Sequence, residues 1–311
     1  MSRRFRTWRS GERGAPVPGR RPPSLRVSAA GWSFVTPFLV VFALFIVTPL
    51  VYSLYLSLFR NQLMGGTTFA GLDNYAAAFS DPKLWDGAGR VGLFLLVQVP
   101  IMLALSLIAA LAIDSGRLHG KEFFRVALFL PYAVPGVVAV LMWGFMYDDR
   151  LGLTGSVNDL VGFSLIDPYT KQWILTAIGN IVTWEFVGYN MLILYSALKT
   201  VPVEIYEAAS IDGADQFRIV RSIKLPAVRG ALMIATIFSI LGSFQLFNEP
   251  NILKQIQPAL ISSYYTPNIY AYNLSFQGNQ VSYAATVAIV MGLVTAIIAY
   301  VVQLRGTRRE A

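Results

Sequence analysis

The sequence predicts an all-α polytopic membrane protein with six transmembrane helices, and three observations carry that prediction. Only 14% of the 311 residues are charged while 55% are hydrophobic, whereas a soluble domain carries about a quarter charged residues. Six windows, roughly 33–58, 91–113, 124–146, 173–197, 228–247 and 283–303, are almost free of charge. Each is long enough to cross roughly 30 Å of hydrocarbon, which takes about 20 mostly apolar residues. The basic residues, finally, are divided very unevenly between alternate connecting segments.

That division sets the expected topology. With the N-terminus inside, segments 1–32, 114–125, 198–229 and the tail after 303 hold 19 of the 25 Lys and Arg. The opposite side holds only Arg60, Lys83, Arg90, Arg150, Lys171 and Lys254. Basic residues concentrate on the cytoplasmic side, so both termini are expected there. The same rule explains the pI of about 9.7 without nucleic acid as a partner.

Taken in order, residues 1–30 mix arginines with Pro16, Pro18, Pro22, Pro23 and several glycines. Such a stretch cannot bury a core and is expected to be a disordered cytoplasmic arm, resting on anionic headgroups. The apolar run from Trp32 to Phe59 is too long for a signal-peptide core and has no small-residue cleavage site, so it reads as an uncleaved first span. A six-span membrane body is expected over 31–305, followed by a short tail, 306–311. Pro37, Pro49, Pro100, Pro131 and Pro135 fall inside the spans. Each removes a backbone hydrogen bond that neighbours help to replace; kinks around a cavity and ordinary packing are both open readings. No internal repeat is visible, which speaks against repeat-built secondary transporters.

The segment 200–226, between the fourth and fifth spans, is rich in pattern. Pro202 suits a first helical turn and Glu204 the positive end of a helix. Ile205, Ala208, Ala209 and Asp212 then share one face. Asp212-Gly213 signals a turn, and a second short helix is expected from about Ala214 until Leu225-Pro226 ends it. Ala208 and Ala209, with Gly213 close by, would let another surface approach the backbone closely. Docking into a partner's groove and lying flat at the inner interface are both consistent with this.

Glu207-Ala208-Ala209, three residues, Gly213, nine residues and then Ile223-x-Leu225-Pro226 resemble the EAA signature of permease subunits in ATP-binding-cassette importers. The likeness to the carbohydrate branch extends over nearly the whole chain. It includes Gly71-Leu-Asp-Asn-Tyr75, Leu128-Phe-Leu-Pro131, Trp184-x-x-x-Gly188-Tyr-Asn-Met191 and Ile211-Asp-Gly-Ala214. Lys224 is a small departure, since many relatives carry Thr there. The resemblance implies a type I importer permease fold in which 200–226 forms coupling helices seated in a cleft of an ATPase. Glu207 would make the polar contact, Ala208 and Ala209 the close fit, and Gly213 the bend, with Asp212, Ile223, Leu225 and Pro226 completing the motif. It further implies a second permease subunit, two ATPase subunits that bind ATP and Mg, an external solute-binding protein and a sugar or polyol as substrate.

The chain has no phosphate-binding G-x-x-x-x-G-K-[ST] loop and no cysteine. Its one histidine, His119, sits between Arg117 and Lys121 in a short turn, and no catalytic or metal-binding set is legible. Glu185 is the ionisable residue deepest inside a span, where a charge costs roughly 2.5–3.5 kcal/mol and so should face protein or water. Trp184, Glu185, Tyr189 and Asn190 would offer a sugar stacking surfaces and acceptors. Ser239, Gly242, Ser243 and Gln245 of the fifth span would add polar groups and room. Pairing of Glu185 with a neighbouring helix, with Trp184 and Tyr189 as packing or anchors, is the competing reading. By resemblance to maltose-type permeases, Tyr189, Ser239 and Ser243 fall at sugar-contact positions. Tyr264, Tyr265, Tyr270 and Tyr272 in the external loop 248–282 suit either a binding-protein dock or an interfacial belt. Two other classes of function stand beside the importer: an ion-coupled carrier titrating through Glu185, which would need no such loop, and a membrane scaffold or sensor.

Overall fold

A computed structural model describes residues 25–62, 66–162 and 167–307. The expected arm 1–30 lies outside the described residues up to position 24, and the tail does so from 308. The chain forms two compact units, residues 1–52 and 53–311.

In the first unit, α1 (Leu25–Phe42) starts a few residues before the expected span and passes through Pro37. A π-turn over Ala43–Val47 follows, then α2 (Thr48–Ser57). Pro49 has no N–H to give the carbonyl four residues back, so the helix widens by one residue just before it. The Thr48 N–H and hydroxyl both donate to the Ala43 carbonyl, the hydroxyl at 2.9 Å.

The second unit begins within α2 and continues with a hairpin of β1 (Phe59–Gln62) and β2 (Gly66–Phe69), in which Phe59 pairs with Phe69. Next comes α3 (Asp73–Phe79), and here the Gly71–Tyr75 motif shows its purpose. The Asn74 amide donates to the carbonyls of Ser57 and Phe59 at 2.8 and 2.7 Å, and the Tyr75 and Ser57 hydroxyls lie 2.7 Å apart. The motif therefore ties the end of α2 to the start of the hairpin.

Asp81 caps α4 (Pro82–Asp114) by accepting from the Lys83 N–H at 2.9 Å, with Pro82 in the first turn. At 1.5 Å per residue this helix is about 50 Å long. Val91, Phe94, Val99 and Met102 are buried on one face, while Leu96 and Ile108 on the other are 72% and 64% exposed. A helix apolar all round suits a bilayer. It packs along α8 (Ile174–Leu198), and Ile174, Ile178 and Ile181 of α8 join Phe94 in the main core.

The third window is not one straight rod. It consists of α5 (Lys121–Phe129), a 3₁₀ turn (Leu130–Ala133) and α6 (Gly136–Met146), bent by 99°. Pro131 and Pro135 are the cause: Val134 and Pro135 are extended, with ψ of 130° and 128°. After α7 (Leu153–Val161) and α8 comes the loop 200–226, with α9 (Val203–Ile211), α10 (Gln216–Ile219), a π-turn (Val220–Lys224) and α11 (Leu225–Ala227). Leu225-Pro226 does not end the second helix as expected, because Pro226 lies in the first turn of α11, where its missing N–H is tolerated. The chain bends at Val228 instead, by 60°, into α12 (Arg229–Phe244). Then α13 (Asn248–Ile256), α14 (Pro267–Phe276) and α15 (Val281–Thr307) complete the fold. Among the described residues, four helices are long and apolar enough to span a bilayer, and six spans result if each bent pair counts as one.

The expected external loop 248–282 is largely helical and partly turned inward. Tyr265 is buried, with Arg90 over its ring at 5.1 Å. Tyr270 and Tyr283 both donate to Asp81 Oδ2, at 2.7 and 2.8 Å, fastening α14 and α15 to the start of α4.

Candidate functional site

Two places on the chain are candidates for functional chemistry: the loop after α8 and a cavity beside the middle of α8.

The loop is built to stand out. Pro202, at φ −58° and ψ 142°, turns the chain into α9. Gly213 stops that helix with φ +77°, a conformation that L side chains rarely adopt. Its N–H donates to Ser210 and that of Ala214 to Ala209, satisfying carbonyls at the helix end. Nothing lies within 4 Å of where a Gly213 Cβ would sit. The glycine is thus required by backbone conformation, not by space. Asp215 restarts the helix, its carboxylate accepting from the Arg218 N–H at 2.8 Å.

Glu207, Ala208, Asp212 and Gly213 are exposed, Ala209 and Ile223 are half-buried, and Leu225 and Pro226 lie in the turn below. Ile211 is 87% exposed. A groove of ≈ 250 Å³ runs between α9 and the following helix, lined by Ala209, Asp212, Ala214, Ile219 and Ile223. Arg218 and Ser222 line it too, so the exposed, bent double helix presents acidic, basic, small and apolar groups together.

The cavity has a volume of ≈ 240 Å³ and is walled by α4, α8, α12 and the start of α13. From α8 it takes Val182, Phe186, Tyr189 and Asn190, which recur at helical spacing. From α12 and the turn after it come Phe238, Ser239, Gly242, Ser243 and Gln245. The Tyr189 ring stacks on Tyr132, with centroids 4.7 Å apart and planes 19° apart. The Asn190 amide donates to the Phe186 carbonyl at 3.0 Å, and Ser243 donates to Ser239 at 2.8 Å. Nothing lies within 4 Å of a Cβ built on Gly242, so that wall is open.

Six of the eight residues expected on a substrate path line this one cavity. Trp184 and Glu185 do not. At about 100° per residue, Trp184 falls on roughly the opposite side of α8 from Tyr189, and Glu185 roughly a quarter-turn from the lining stripe. The Trp184 ring instead meets Trp143 edge-on at 5.9 Å, and Glu185 is buried with Oε1 3.5 Å from where a Gly136 Cβ would lie. Both turn toward α6.

Sequence reasoning missed Gln98, Met102 and Glu249, which also line the cavity. Gln98 is buried on α4; its Nε2 donates to the Thr183 hydroxyl at 3.2 Å, and its Oε1 has no partner. A lone amide in an otherwise apolar window was the available signal. Glu249 is the one carboxylate on the wall, and no Lys or Arg joins it. Amides, hydroxyls and aromatic rings around a space of this size can hold a neutral polyhydroxylated molecule. Among the described residues no cluster of His, Asp and Glu could hold a metal ion.

Known proteins give the arrangement a context. The model of a family described as binding-protein-dependent transport system inner membrane component matches residues 75–309. The lactose transport system permease protein LacF of Rhizobium radiobacter is 31% identical, over 87% of this chain and 91% of its own length. The arabinooligosaccharides transport system permease protein AraP of Bacillus subtilis is 28% identical, over 88% and 87%. A solved bacterial ABC transporter involved in alginate import has a chain that superposes with a TM-score of 0.76 at 16% identity, covering 91% of this chain and 97% of that one.

Proposed function

We infer what the chain does from one premise: it belongs to the binding-protein-dependent transport system inner membrane component family. On our reading it is the permease subunit of an ATP-driven importer, moving a sugar or related polyol into the cytoplasm by alternating access. The observation that carries this reading is the exposed loop Val203–Gly213, joined directly to the helix that walls the cavity. A carrier driven by ions alone has no use for such a loop. The division of Lys and Arg supports placing both termini and the loop in the cytoplasm. The names of the relatives, which speak of lactose and arabinooligosaccharides, support a carbohydrate, as does a cavity of amides, hydroxyls and rings.

The chain itself is not an enzyme on this reading. Two ATPase subunits bind ATP and Mg, a second permease subunit completes the path, and an external binding protein delivers the solute. Closure of the ATPase pair draws the coupling loops together. The spans rock in response, and access to the cavity passes from one side to the other. Glu207 and the small face of Ala208 and Ala209 make the contact with the motor. Tyr189 and Asn190, with Ser239, Ser243 and Gln245, hold the solute in transit.

The test is uptake by a strain lacking this gene, using labelled lactose, maltose and arabinotriose. Loss of one uptake, restored by the gene, blocked by vanadate and insensitive to a protonophore, is the expected result. Uptake that collapses with the protonophore and ignores vanadate would replace the ATP-driven reading with an ion-coupled carrier.

A further inference from the structure

The end of α4 carries a charge where a charge is costly. Asp114 is its last residue, so its carboxylate sits at the negative end of the helix dipole, and its side chain is only 6% exposed. Two lysines compensate it. Lys199 Nζ lies 3.0 Å from Oδ1, and Lys224 Nζ donates to Oδ2 at 2.7 Å. The Lys224 side chain is itself only 8% exposed.

The positions of these lysines matter more than their number. Lys199 follows α8 directly, where the coupling loop begins; Lys224 closes the π-turn, where the loop returns. One carboxylate of α4 thus holds both ends of the loop. The coupling helix takes part as well, because Lys224 Nζ lies 5.4 Å from the centre of the Tyr206 ring, and Tyr206 immediately precedes Glu207 on α9. By contrast the Glu122–Arg125 pair lies within α5 and is well exposed.

Stability alone is a poor reason for such a cluster. Buried ion pairs are often no better than apolar residues of the same volume, yet breaking one strands a buried charge. What a buried pair does fix is register: the loop can sit on α4 in one way only. From Asp114, α4 runs back as one helix, through Pro100, to Gln98 on the cavity wall, roughly four turns or about 24 Å away.

We propose that Asp114 is a positioning residue, the joint by which the coupling loop grips α4 and moves a wall of the cavity as the loop moves. This rests on the ATP-coupled reading and adds to it a second route to the cavity, beside the covalent one through α8. The physical warrant is a contiguous chain of contacts from Tyr206 through Lys224 and Asp114 into one continuous helix.

The chain has no cysteine, so spin labels can be placed singly. In the assembled importer in lipid, labels at Val203 on α9 and Leu96 on the outer face of α4 report the joint. A second pair, Val203 and Ile297 on α15, reports whether the loop moves at all. With ATP, Mg and vanadate trapped, the Val203–Ile297 distance is expected to change while Val203–Leu96 stays constant. In Asp114→Asn, and in Lys224→Met if the first variant fails to assemble, Val203–Leu96 should shift by about 1–2 Å or more, the scale of switching helices, and its distribution should broaden. Asp114→Glu should restore the constant distance. A wild-type Val203–Leu96 distance that changes on trapping overturns the joint, as does one that stays constant in the variants. If Val203–Ile297 does not respond in the wild type, the ATP-coupled reading fails, and the joint with it.

Discussion

At the scale of single residues, two glycines separate folding from transport. A Cβ on Gly188 would overlap the Leu128 carbonyl oxygen, part of the backbone of the bent third window. Backbone cannot step aside as a flexible side chain can. Gly188→Ala is therefore expected to destabilise the fold by about 1–3 kcal/mol or more, read as a lower Tm of the solubilised protein. Gly242 is the opposite case, with open space beyond its Cα on the cavity wall. Gly242→Leu should leave Tm close to wild type while cutting the maximal rate of uptake severely, because its side chain fills the space the solute needs. Equal losses of Tm in the two variants would contradict this division.

Asp81 makes a prediction in pH. Burial pushes its carboxyl up, but hydrogen bonds from Tyr270 and Tyr283 and from the N–H groups of Lys83 and Leu84 outweigh it and hold the group below its ordinary value. A carboxyl whose folded pKa is lowered contributes stability above its unfolded value, about 3.9, and loses that contribution as pH falls through the folded value. The fastening of α14 and α15 to α4 should thus hold throughout pH 5–8 and weaken only below about pH 4. Asp81→Asn should lower Tm at pH 7 and flatten the acid-side decline. An unaltered decline would mean that other carboxyls govern it.

At the scale of elements, the loop and the spans differ in how far the sequence disclosed them. The first, second, fourth and sixth windows became helices because length and apolarity suffice to specify a rod. The third and fifth became bent pairs. Hydropathy counts apolar residues without direction, and the bends arise from local backbone chemistry: Pro131 and Pro135 in one, and the break at Val228 in the other. The prolines were visible; the angle they produce depends on what they pack against. The Asp212-Gly213 turn was legible because Asp-Gly is a turn signal, and Gly213 indeed takes a positive φ there. Gly213→Ala should cost about 1–2 kcal/mol at the turn and raise the ATP hydrolysed per solute moved. Glu207→Ala, on an exposed face, should leave the fold intact while weakening capture of the ATPase in co-purification.

The cavity was only partly legible. Tyr189, Ser239 and Ser243 were legible through the resemblance to maltose-type permeases, and Asn190, Gly242 and Gln245 as polar or small neighbours of theirs; all six line the cavity. Glu185 misled because a buried acid has two physical resolutions, a wet path or a packed neighbour, and spacing alone does not choose between them. Gln98 is a lone amide in an apolar window, and only the fold, which brings it to the Thr183 hydroxyl and the cavity, distinguishes it from packing. The Asp114 cluster lay beyond reach for a similar reason: its three members stand far apart in the chain and meet only in the fold.

At the scale of the whole molecule, the chain combines three things that matter only together: lipid-compatible rods, a polar hollow among them, and a bent hinge held out at one end. The central claim is that this hinge is the seat of a separate ATP-hydrolysing motor. The most direct measurement places single cysteines along residues 204–216 of the naturally cysteine-free chain and applies a short cross-linker to membranes that are importing sugar. The account predicts that positions on the exposed face of α9, Glu207 and Ile211 among them, capture an ATP-hydrolysing subunit, and that capture blocks uptake. A set of probes that never captures such a subunit while uptake continues would contradict it.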